Sequence, residues 1–324
     1  MRARKKIHGG DKMSRIYLTL DGGTTNTRIS LVRDRQIIDS VKLPIGARAS
    51  IENREILKSE IKNAIKKLLS DNFLCENDIT RILASGMITS EFGLYNLDHI
   101  SAPAGLRELH DSMKEVILSE ISDIPFVFIR GVKTSSDSFE DADIMRGEET
   151  ELMGIISEEY GKCIYVLPGS HSKIIKTDSD GRICSFSTML TGEMIASLSQ
   201  YTILKDAVDL SSSETDTEYL LKGYDYCKKE GINKSLFKVR ILKNLFSCGK
   251  NETYSFFIGC ILCPEIEQIS GSDAETVVLA GKAQIKKAIE IILKSRSNKK
   301  IITLDNQTAE LSPSLGAIKI FEFL

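Results

Sequence analysis

The residues best suited to chemistry form a short glycine- and threonine-rich stretch between two strand-forming runs. The stretch is Asp21-Gly22-Gly23-Thr24-Thr25-Asn26, and the runs cover residues 16–20 and 29–32. The glycines let backbone N–H groups approach an anion, and the threonine and asparagine side chains add short donors. Asp21, at the end of a buried strand, would hold a hydrated Mg²⁺ that bridges nucleotide phosphates. The pattern predicts a hairpin whose tip binds phosphate, although an ordinary turn with an exposed aspartate also fits it.

A loop of the same kind recurs in the second half of the chain. It follows the strand-like run Cys163–Leu167 and comprises Pro168-Gly169-Ser170-His171, before the run Lys173–Thr177. We predict that Gly169, Ser170 and His171 hold the β- and γ-phosphates of a nucleotide, with Lys173 as a nearby positive charge. A histidine that is satisfied within its own turn is the alternative for His171. In both halves the order is strand, small polar loop, strand, tight turn and strand, so we predict a duplicated fold.

A third nucleotide contact is predicted after the run Thr276–Leu279. There Ala280 and Gly281 end a strand, and a glycine lets a flat ring such as adenine lie against the backbone. The signal is weak alone, because a glycine between a strand and a helix is common.

An acidic cluster lies between the two halves, in the stretch 143–152. Acids at a helix start are favoured by the helix dipole, which suffices for Glu151 and one residue of the pair Glu148 and Glu149. A carboxylate at this crossover could also deprotonate a hydroxyl as phosphate is transferred. We favour Glu148 for that role, with Glu149 and Asp143 as alternatives. Arg146 either binds a substrate carboxylate or pairs with Glu149.

The composition is that of an ordinary globular protein. The chain has 324 residues, 27% of them charged, and a formal net charge of −2, which argues against a nucleic-acid partner. No apolar run approaches the roughly 20 residues that span a bilayer, so no membrane partner is expected. The scattered cysteines suggest reduced thiols in the cytoplasm. Cys260 and Cys263 form a C-x-x-C within an apolar helix, where core packing is favoured over zinc binding.

The elements that must position these residues alternate after each set of three strands. In the first half we predict a third strand over 36–43, helices over 52–69 and 106–118, and strands over 81–84 and 126–130. In the second half we predict a strand over 182–189, helices over 192–204, 235–246 and 254–269, a strand over 275–279, a helix to residue 293 and a closing helix that opens at residue 312. This order predicts an α/β fold with mixed sheets and helices on their faces.

Several further motifs complete a resemblance to a known family. The motifs are DGGTTNTR at 21–28, SGMITS at 85–90, SAPAG at 101–105, MRGEET at 145–150, LPGSHSK at 167–173 and TGE at 191–193. Together they resemble the 2-dehydro-3-deoxygalactonokinases, which belong to the sugar kinase, Hsp70 and actin superfamily. The resemblance runs from about Tyr17 to the C-terminal helix. It implies the duplicated ribonuclease-H-like, or actin-like ATPase, fold, with two domains around a nucleotide cleft.

The resemblance also implies an activity, which is ATP- and Mg²⁺-dependent phosphorylation of the 6-hydroxyl of 2-dehydro-3-deoxy-D-galactonate in galactonate degradation. By analogy with the wider sugar kinases, in which a Gly-Asp pair at the start of the second domain carries the general base, Gly147-Glu148 lies at the position of the base. We expect two segments to line the sugar-acid pocket, namely Ser85, Gly86 and Met87 and, in the second half, Thr191, Gly192 and Glu193. Arg146 and Glu149 are expected to bind the substrate beside them. A kinase for another sugar acid, such as 2-dehydro-3-deoxygluconate, and a non-catalytic relative that senses a nucleotide or sugar are the alternatives.

The predicted domains are a disordered tail over 1–13, an N-terminal domain over 14–146 with the first phosphate loop and the sugar-acid pocket, and a C-terminal domain over 147–324 with the second phosphate loop and the adenosine site. The expected ligands are ATP and a small sugar acid. The sequence leaves a homodimer open.

Overall fold

The structure of the protein is a computed structural model that describes residues 15–51, 53–136, 138–211, 214–281 and 283–323. The predicted tail over 1–13 lies outside the described residues. The described chain forms two compact units. The first contains the described residues up to Leu97 together with Met113–Ile129, and the second contains Asp98–Ser112 together with the described residues from Arg130 onward. The division of function at residue 146 stays a prediction.

The strands, numbered in chain order, are β1 (Ile16–Gly22), β2 (Thr27–Arg33), β3 (Gln36–Leu43), β4 (Arg81–Gly86), β5 (Ile100–Ser101), β6 (Lys114–Leu118), β7 (Ser122–Phe128), β8 (Val132–Lys133), β9 (Ile144–Met145), β10 (Cys163–Leu167), β11 (Ser172–Thr177), β12 (Ile183–Met189), β13 (Thr276–Leu279) and β14 (Lys300–Thr303). The helices are α1 (Arg54–Asp71), α2 (Leu106–Asp111), α3 (Glu148–Ile155), α4 (Thr191–Tyr201), α5 (Thr217–Glu230), α6 (Ile232–Phe246), α7 (Lys250–Ser270), α8 (Ala283–Arg296) and α9 (Asn306–Phe321). Short 3-10 turns cover Ala47–Ile51, Glu76–Asp78, Met87–Thr89 and Glu158–Tyr160.

The sheet of the first unit has the order β3-β2-β1-β4-β7-β6. The first three strands form an antiparallel meander, and β4 and β7 continue the sheet parallel to β1. The central strand β1 is buried along most of its length, which fits its nearly continuous apolar sequence. Helix α1 covers the sheet with a stripe of buried residues that includes Leu57, Ile61 and Ile65, as their spacing predicts.

The sheet of the second unit repeats this arrangement. Its order is β12-β11-β10-β13-β14, again an antiparallel meander followed by two parallel strands. Strand β10 therefore occupies the place that β1 has in the first sheet, and β13 occupies the place of β4. Helices α4 to α8 form the core of this unit with the sheet, and α7 is buried along most of its length. The repetition is the duplicated ribonuclease-H-like fold that the sequence predicts.

One predicted helix in the first half of the chain is wrong in its extent. The predicted helix over 106–118 ends at Asp111 as α2, and the residues after it form strand β6, which pairs antiparallel with β7. Pairing at the sheet edge therefore decides the structure there rather than helix propensity. The sequence prediction also omits helix α5 and strand β14, which the structure contains.

The closing helix α9 begins at Asn306 rather than at Ser312. Asp305 caps it, since its side chain accepts a hydrogen bond from the N–H of Thr308 at 2.8 Å. Pro313 lies inside the helix and has no N–H to donate to the carbonyl of Ala309. The hydroxyl of Ser312 donates to that carbonyl instead, at 2.7 Å. Because the serine hydroxyl takes the place of the missing proline N–H, a serine-proline pair, which usually begins a helix, lies in the middle of one here.

Helices α3 and α9 pack with their backbones in contact. A Cβ added at Gly316 would lie 1.8 Å from the carbonyl oxygen of Thr150, and one added at Gly154 would lie 2.1 Å from that of Ser312. Both distances are far below a van der Waals contact, so only glycine fits at either place. The contact fixes α3, which begins with the acidic cluster.

We expect Gly316→Ala to lower the free energy of unfolding by at least about 1–3 kcal/mol, because the new methyl group must force the two helices apart. Denaturant titration would measure the change. Gly249→Ala is the control, because Gly249 is exposed, has an ordinary φ of −70° and would meet only the carboxylate of Glu252. Its effect should stay within about 1 kcal/mol. Equal stability of the two variants would contradict this account of the helix contact.

Candidate functional site

The predicted first loop forms the tip of the β1–β2 hairpin in the first unit. The N–H of Gly23 donates to the carbonyl of Asn26 at 2.8 Å, which closes the turn. The segment after β3 packs against it: the N–H groups of Ala47 and Arg48 donate to the carbonyls of Gly23 and Thr24 at 3.0 and 2.9 Å. Gly46 makes this approach possible, since a Cβ there would lie 2.4 Å from the Gly23 oxygen. The loop is therefore held from behind through its carbonyl oxygens, while the side chains of residues 24–26 are exposed.

Asp21 lies at the end of β1, one residue before the loop. In the sheet it is level with Arg28 on β2 and with Ser85 on β4. The adjacent Gly86 has a φ of +79°, and a Cβ there would lie 2.5 Å from the carbonyl of Gly22 and 3.3 Å from Oδ1 of Asp21. The structure thus brings Ser85, Gly86 and the following Met87 beside Asp21, as the duplicated fold predicts.

The second loop, Pro168 to His171, has the corresponding position in the second unit. Here the segment after β12 packs against it, since the N–H groups of Gly192 and Glu193 donate to the carbonyl of Ser170 at 3.1 and 3.2 Å. A Cβ at Gly192 would lie 2.4 Å from the carbonyl of Gly169. His171 does have a partner, because its Nε2 lies 3.0 Å from Oε1 of Glu193, and both side chains are exposed.

The predicted adenine contact adjoins the same loop. Ala280 donates its N–H to the carbonyl of Val166 at 3.0 Å, and Gly281 follows with a φ of +80°. A Cβ at Gly281 would lie 3.0 Å from the carbonyl of Pro168. Gly281 therefore corresponds to Gly86 of the first unit. Both have a positive φ, and each lies against the carbonyl of the residue that begins the loop of its own unit.

The acidic cluster lies at the start of helix α3, in the second unit. Gly147 precedes the helix with a φ of +113°, a conformation that favours glycine. Oε1 of Glu148 forms an ion pair with Nζ of Lys173 at 2.8 Å, and its Oε2 accepts from the N–H of Arg146 at 3.1 Å. The lysine side chain is 4% exposed and that of Glu148 is 24% exposed. The structure thus joins the residue that we favoured as base with the cation of the second loop, and keeps its carboxylate accessible.

Glu149 has a different environment. It is fully buried, both of its carboxylate oxygens accept from the N–H of Gly147 at 2.8–3.0 Å, and Thr150 Oγ1 donates to Oε1 at 3.0 Å. Burial, together with the negative charge of Glu148, raises the pKa of Glu149 to about 7. A carboxyl that is enclosed in this way is suited to hold the turn before α3 rather than to meet a substrate.

Arg146 and Asp143, the other residues weighed in this region, lie close by. A guanidinium nitrogen of Arg146 lies 3.3 Å from Nδ1 of His99, and burial lowers the pKa of Arg146. Burial and the charges of Arg146 and Lys133 lower the pKa of His99 to about 4, so this histidine is neutral near pH 7. Asp143 accepts from the N–H and the hydroxyl of Thr188 at 2.7 and 2.9 Å, which ties the loop before β9 to β12.

The sequence analysis missed two residues near these groups. His99 carries no catalytic pattern, and only the structure places it beside Arg146. Glu265 lies in helix α7 and is 1% exposed; it accepts hydrogen bonds from Ser172 and Thr191, which flank the second loop. Its burial raises its pKa. A signal for Glu265 was present, since it interrupts an otherwise apolar run from 256 to 266.

The fold of the whole chain matches solved structures. A crystal structure of a Sinorhizobium meliloti protein, assigned as a 2-dehydro-3-deoxygalactonokinase, aligns with a TM-score of 0.77 at 20% identity and covers 95% of this chain and 97% of its own. Component A of the Acidaminococcus fermentans (R)-2-hydroxyglutaryl-CoA dehydratase aligns with a TM-score of 0.50 at 14% identity, over 94% of this chain and 97% of its own. Within the described residues, every helix is too short or too polar to cross a bilayer.

The sequence relatives are sugar-acid kinases. The chain is 25% identical over 256 residues to the 2-dehydro-3-deoxygalactonokinase of Escherichia coli K12, which covers 78% of this chain and 80% of that protein. It is 31% identical over 206 residues to a Rhizobium meliloti protein that carries the same name by assignment, over 62% of this chain and 60% of that protein. The family model and these relatives define a phosphotransferase with an alcohol acceptor. More particularly, the chain belongs to the 2-keto-3-deoxy-galactonokinase family, whose model matches residues 21–311.

The predicted resemblance is therefore confirmed, and the roles of the individual site residues stay predictions.

The raised pKa of Glu149 makes stability depend on pH. The unfolded chain has a pKa near 4.5 at this residue and the folded chain has about 7, so the folded state binds the proton more tightly. The resulting stabilisation is complete below pH 4.5 and is lost as the pH rises through 7. Between pH 4.5 and 7, we expect the free energy of unfolding of the wild type to fall by about 3 kcal/mol relative to that of Glu149→Gln, because glutamine imitates the protonated carboxyl. Denaturant titrations at a series of pH values measure the difference. Glu151→Gln, in the same helix turn, is the control, and a pH-independent difference for Glu149→Gln would contradict the account.

Proposed function

We propose that the protein transfers the γ-phosphoryl group of ATP to the 6-hydroxyl of 2-dehydro-3-deoxy-D-galactonate. Family membership supports the reaction class and this acceptor. The observation that carries the residue assignment is the ion pair between Glu148 and Lys173, since it joins a carboxylate that can accept a proton to a cation in the strand directly after the second loop.

The nucleotide phosphates are assigned to the two loops. In the first unit these are residues 22–26, and in the second they are Gly169, Ser170 and His171, with Lys173 as a compact charge. Ala280 and Gly281 are assigned to the adenine ring, because they end the strand beside the second loop and Gly281 lies close to the Pro168 carbonyl of that loop. In support, each loop is held from behind through its carbonyl oxygens. Such preorganisation leaves little conformational freedom to be lost on binding.

Asp21 is assigned to Mg²⁺ through water. The donor set fits, because Asp21 is a partly accessible carboxylate at a strand end beside the first loop. Mg²⁺ typically keeps several waters and binds one or two carboxylates together with substrate phosphates. When bound, the ion would neutralise charge on the phosphates.

Glu148 is assigned as the general base. Its carboxylate is accessible, whereas that of Glu149 is enclosed and already accepts hydrogen bonds from Gly147 and Thr150. The proton of the acceptor hydroxyl passes to Glu148 as the oxygen attacks the γ-phosphorus and the bond to the leaving ADP oxygen breaks. Glu149 and Gly147 hold the turn that presents this carboxylate.

The acceptor itself is assigned to Ser85, Gly86 and Met87 and to Thr191, Gly192 and Glu193, with Arg146 for its carboxylate. His99 is neutral near pH 7, so its contact with Arg146 leaves the positive charge of the arginine in place. A neutral hexose would offer no carboxylate to Arg146.

The proposed reaction predicts a clear order of acceptors. In an assay of ADP release with ATP and Mg²⁺, we expect kcat/KM for 2-dehydro-3-deoxy-D-galactonate to exceed that for glucose by about a hundredfold or more. Phosphorus and carbon NMR of the product should place the phosphate on C6, and chelation of divalent cations should stop turnover. Equal values for glucose and the sugar acid would contradict the proposal. A preference for 2-dehydro-3-deoxygluconate would correct only the acceptor, and nucleotide binding without turnover of any sugar acid would indicate a sensing relative.

The base assignment predicts that Glu148→Gln lowers kcat by about 10²–10⁴-fold with little change in the affinity for ATP, since the base acts mainly in the transition state. Steady-state kinetics together with a direct measurement of ATP binding separate the two effects. Glu149→Gln should be milder, and Glu151→Gln serves as the control for a lost charge at the helix start. A larger loss of kcat in Glu149→Gln than in Glu148→Gln would move the base to Glu149.

A further inference from the structure

Glu265 connects two segments that flank the second loop. Its Oε1 accepts from the hydroxyl of Ser172 at 2.6 Å, and its Oε2 accepts from the hydroxyl of Thr191 at 2.7 Å. Ser172 is the first residue of β11, directly after the loop, and Thr191 is the first residue of α4. The residue is 1% exposed, and no ion pair involves it within the part of the chain that the structure describes. Among the described residues its hydrogen-bond partners are two hydroxyls, and a buried carboxyl without a cation is costly to keep charged.

The segment that Thr191 begins also packs directly against the second loop. Residue Gly192, next to Thr191, packs against the carbonyl of Gly169, and its N–H donates to the carbonyl of Ser170. The loop therefore lies between a strand start and a helix start that are both tied to one carboxylate. A shift of either segment would break a short hydrogen bond to Glu265 and leave a buried carboxyl with one partner fewer.

The first unit provides an internal comparison. Thr27 pairs with Gly22 in the β1–β2 ladder and starts β2, so it corresponds to Ser172 at the start of β11. Its hydroxyl is also buried, yet within the described residues Thr27 Oγ1 has no hydrogen-bond partner. A hairpin of this fold therefore forms without a carboxylate behind the first residue of its second strand. The hydrogen bonds of Glu265 are thus an addition that is specific to the second loop.

We propose that Glu265 is a positioning residue that fixes the second loop in the geometry required to bind the nucleotide phosphates. The inference rests on the proposed function, which assigns that loop to the phosphates. Glu265 acts through Ser172 and Thr191 and does not itself touch the nucleotide.

The test is Glu265→Gln, with Glu267→Gln as the matched control in the same helix. The two hydroxyls bind different oxygens of the carboxylate, so in the glutamine variant one of them faces an NH₂ donor and loses its acceptor. Glu267 binds Tyr224 and Lys228 instead and has no bond to the loop. We expect Glu265→Gln to raise both the Kd of ATP, measured by calorimetry, and the KM for ATP by about tenfold. The KM for the sugar acid should be unchanged in Ser172→Ala, which leaves the bond between Glu265 and Thr191 in place, and Glu267→Gln should behave as wild type.

A second pair of variants keeps the test decisive if Glu265→Gln does not fold. Ser172→Ala removes one hydroxyl donor to Glu265, and Thr27→Val removes the hydroxyl that corresponds to it in the first unit. We expect a weaker affinity for ATP in the former only, and in the double variant with Glu265→Gln the two effects should not add. Folded Glu265→Gln and Ser172→Ala that bind ATP as wild type does would overturn the inference. A wild-type protein that does not bind ATP would instead contradict the proposed function.

Discussion

In both units the ends of the central strands depend on backbone atoms that touch backbone atoms, with no side chain between them. Gly46 and Gly192 lie against the carbonyls of the first and second loops, at a distance that any Cβ would occupy. This constraint fixes the loops from the side opposite to their exposed tips. Gly86 and Gly281 make a similar close approach from the ends of the neighbouring strands, so close backbone packing shapes both candidate phosphate sites.

The two units place different charged residues on the same frame. The first unit places the carboxylate of Asp21 at its strand end, where the second unit has Leu167, and the second unit instead adds the pair of Lys173 and Glu148. Two fully or almost fully buried carboxyls, Glu149 and Glu265, support the second unit from within. Duplication has therefore provided two similar loops, and the residues behind each loop have diverged.

Much of this was predictable from the sequence because it is local. The loops, the strands beside them and the start of α3 are contiguous patterns, and they occur where they were predicted. The helix over 106–118 was wrong because pairing with β7, not propensity, decides the structure after Asp111. Glu265 was missed because its partners are 93 and 74 residues away in the sequence. The residues next to Glu265 do not indicate which distant residues it contacts. His99 beside Arg146 was missed for the same reason.

The contact between α3 and α9 has a consequence for the order of folding. Gly316 meets Thr150, so the helix that begins with the acidic cluster gains its packing surface only when the closing helix is present. During synthesis the strands of the first sheet leave the ribosome well before α9, and domains generally fold as units. The first unit and its loop can therefore form on a nascent chain before Glu148 has its final place. A partly made chain would have the first glycine loop without an ordered acidic cluster.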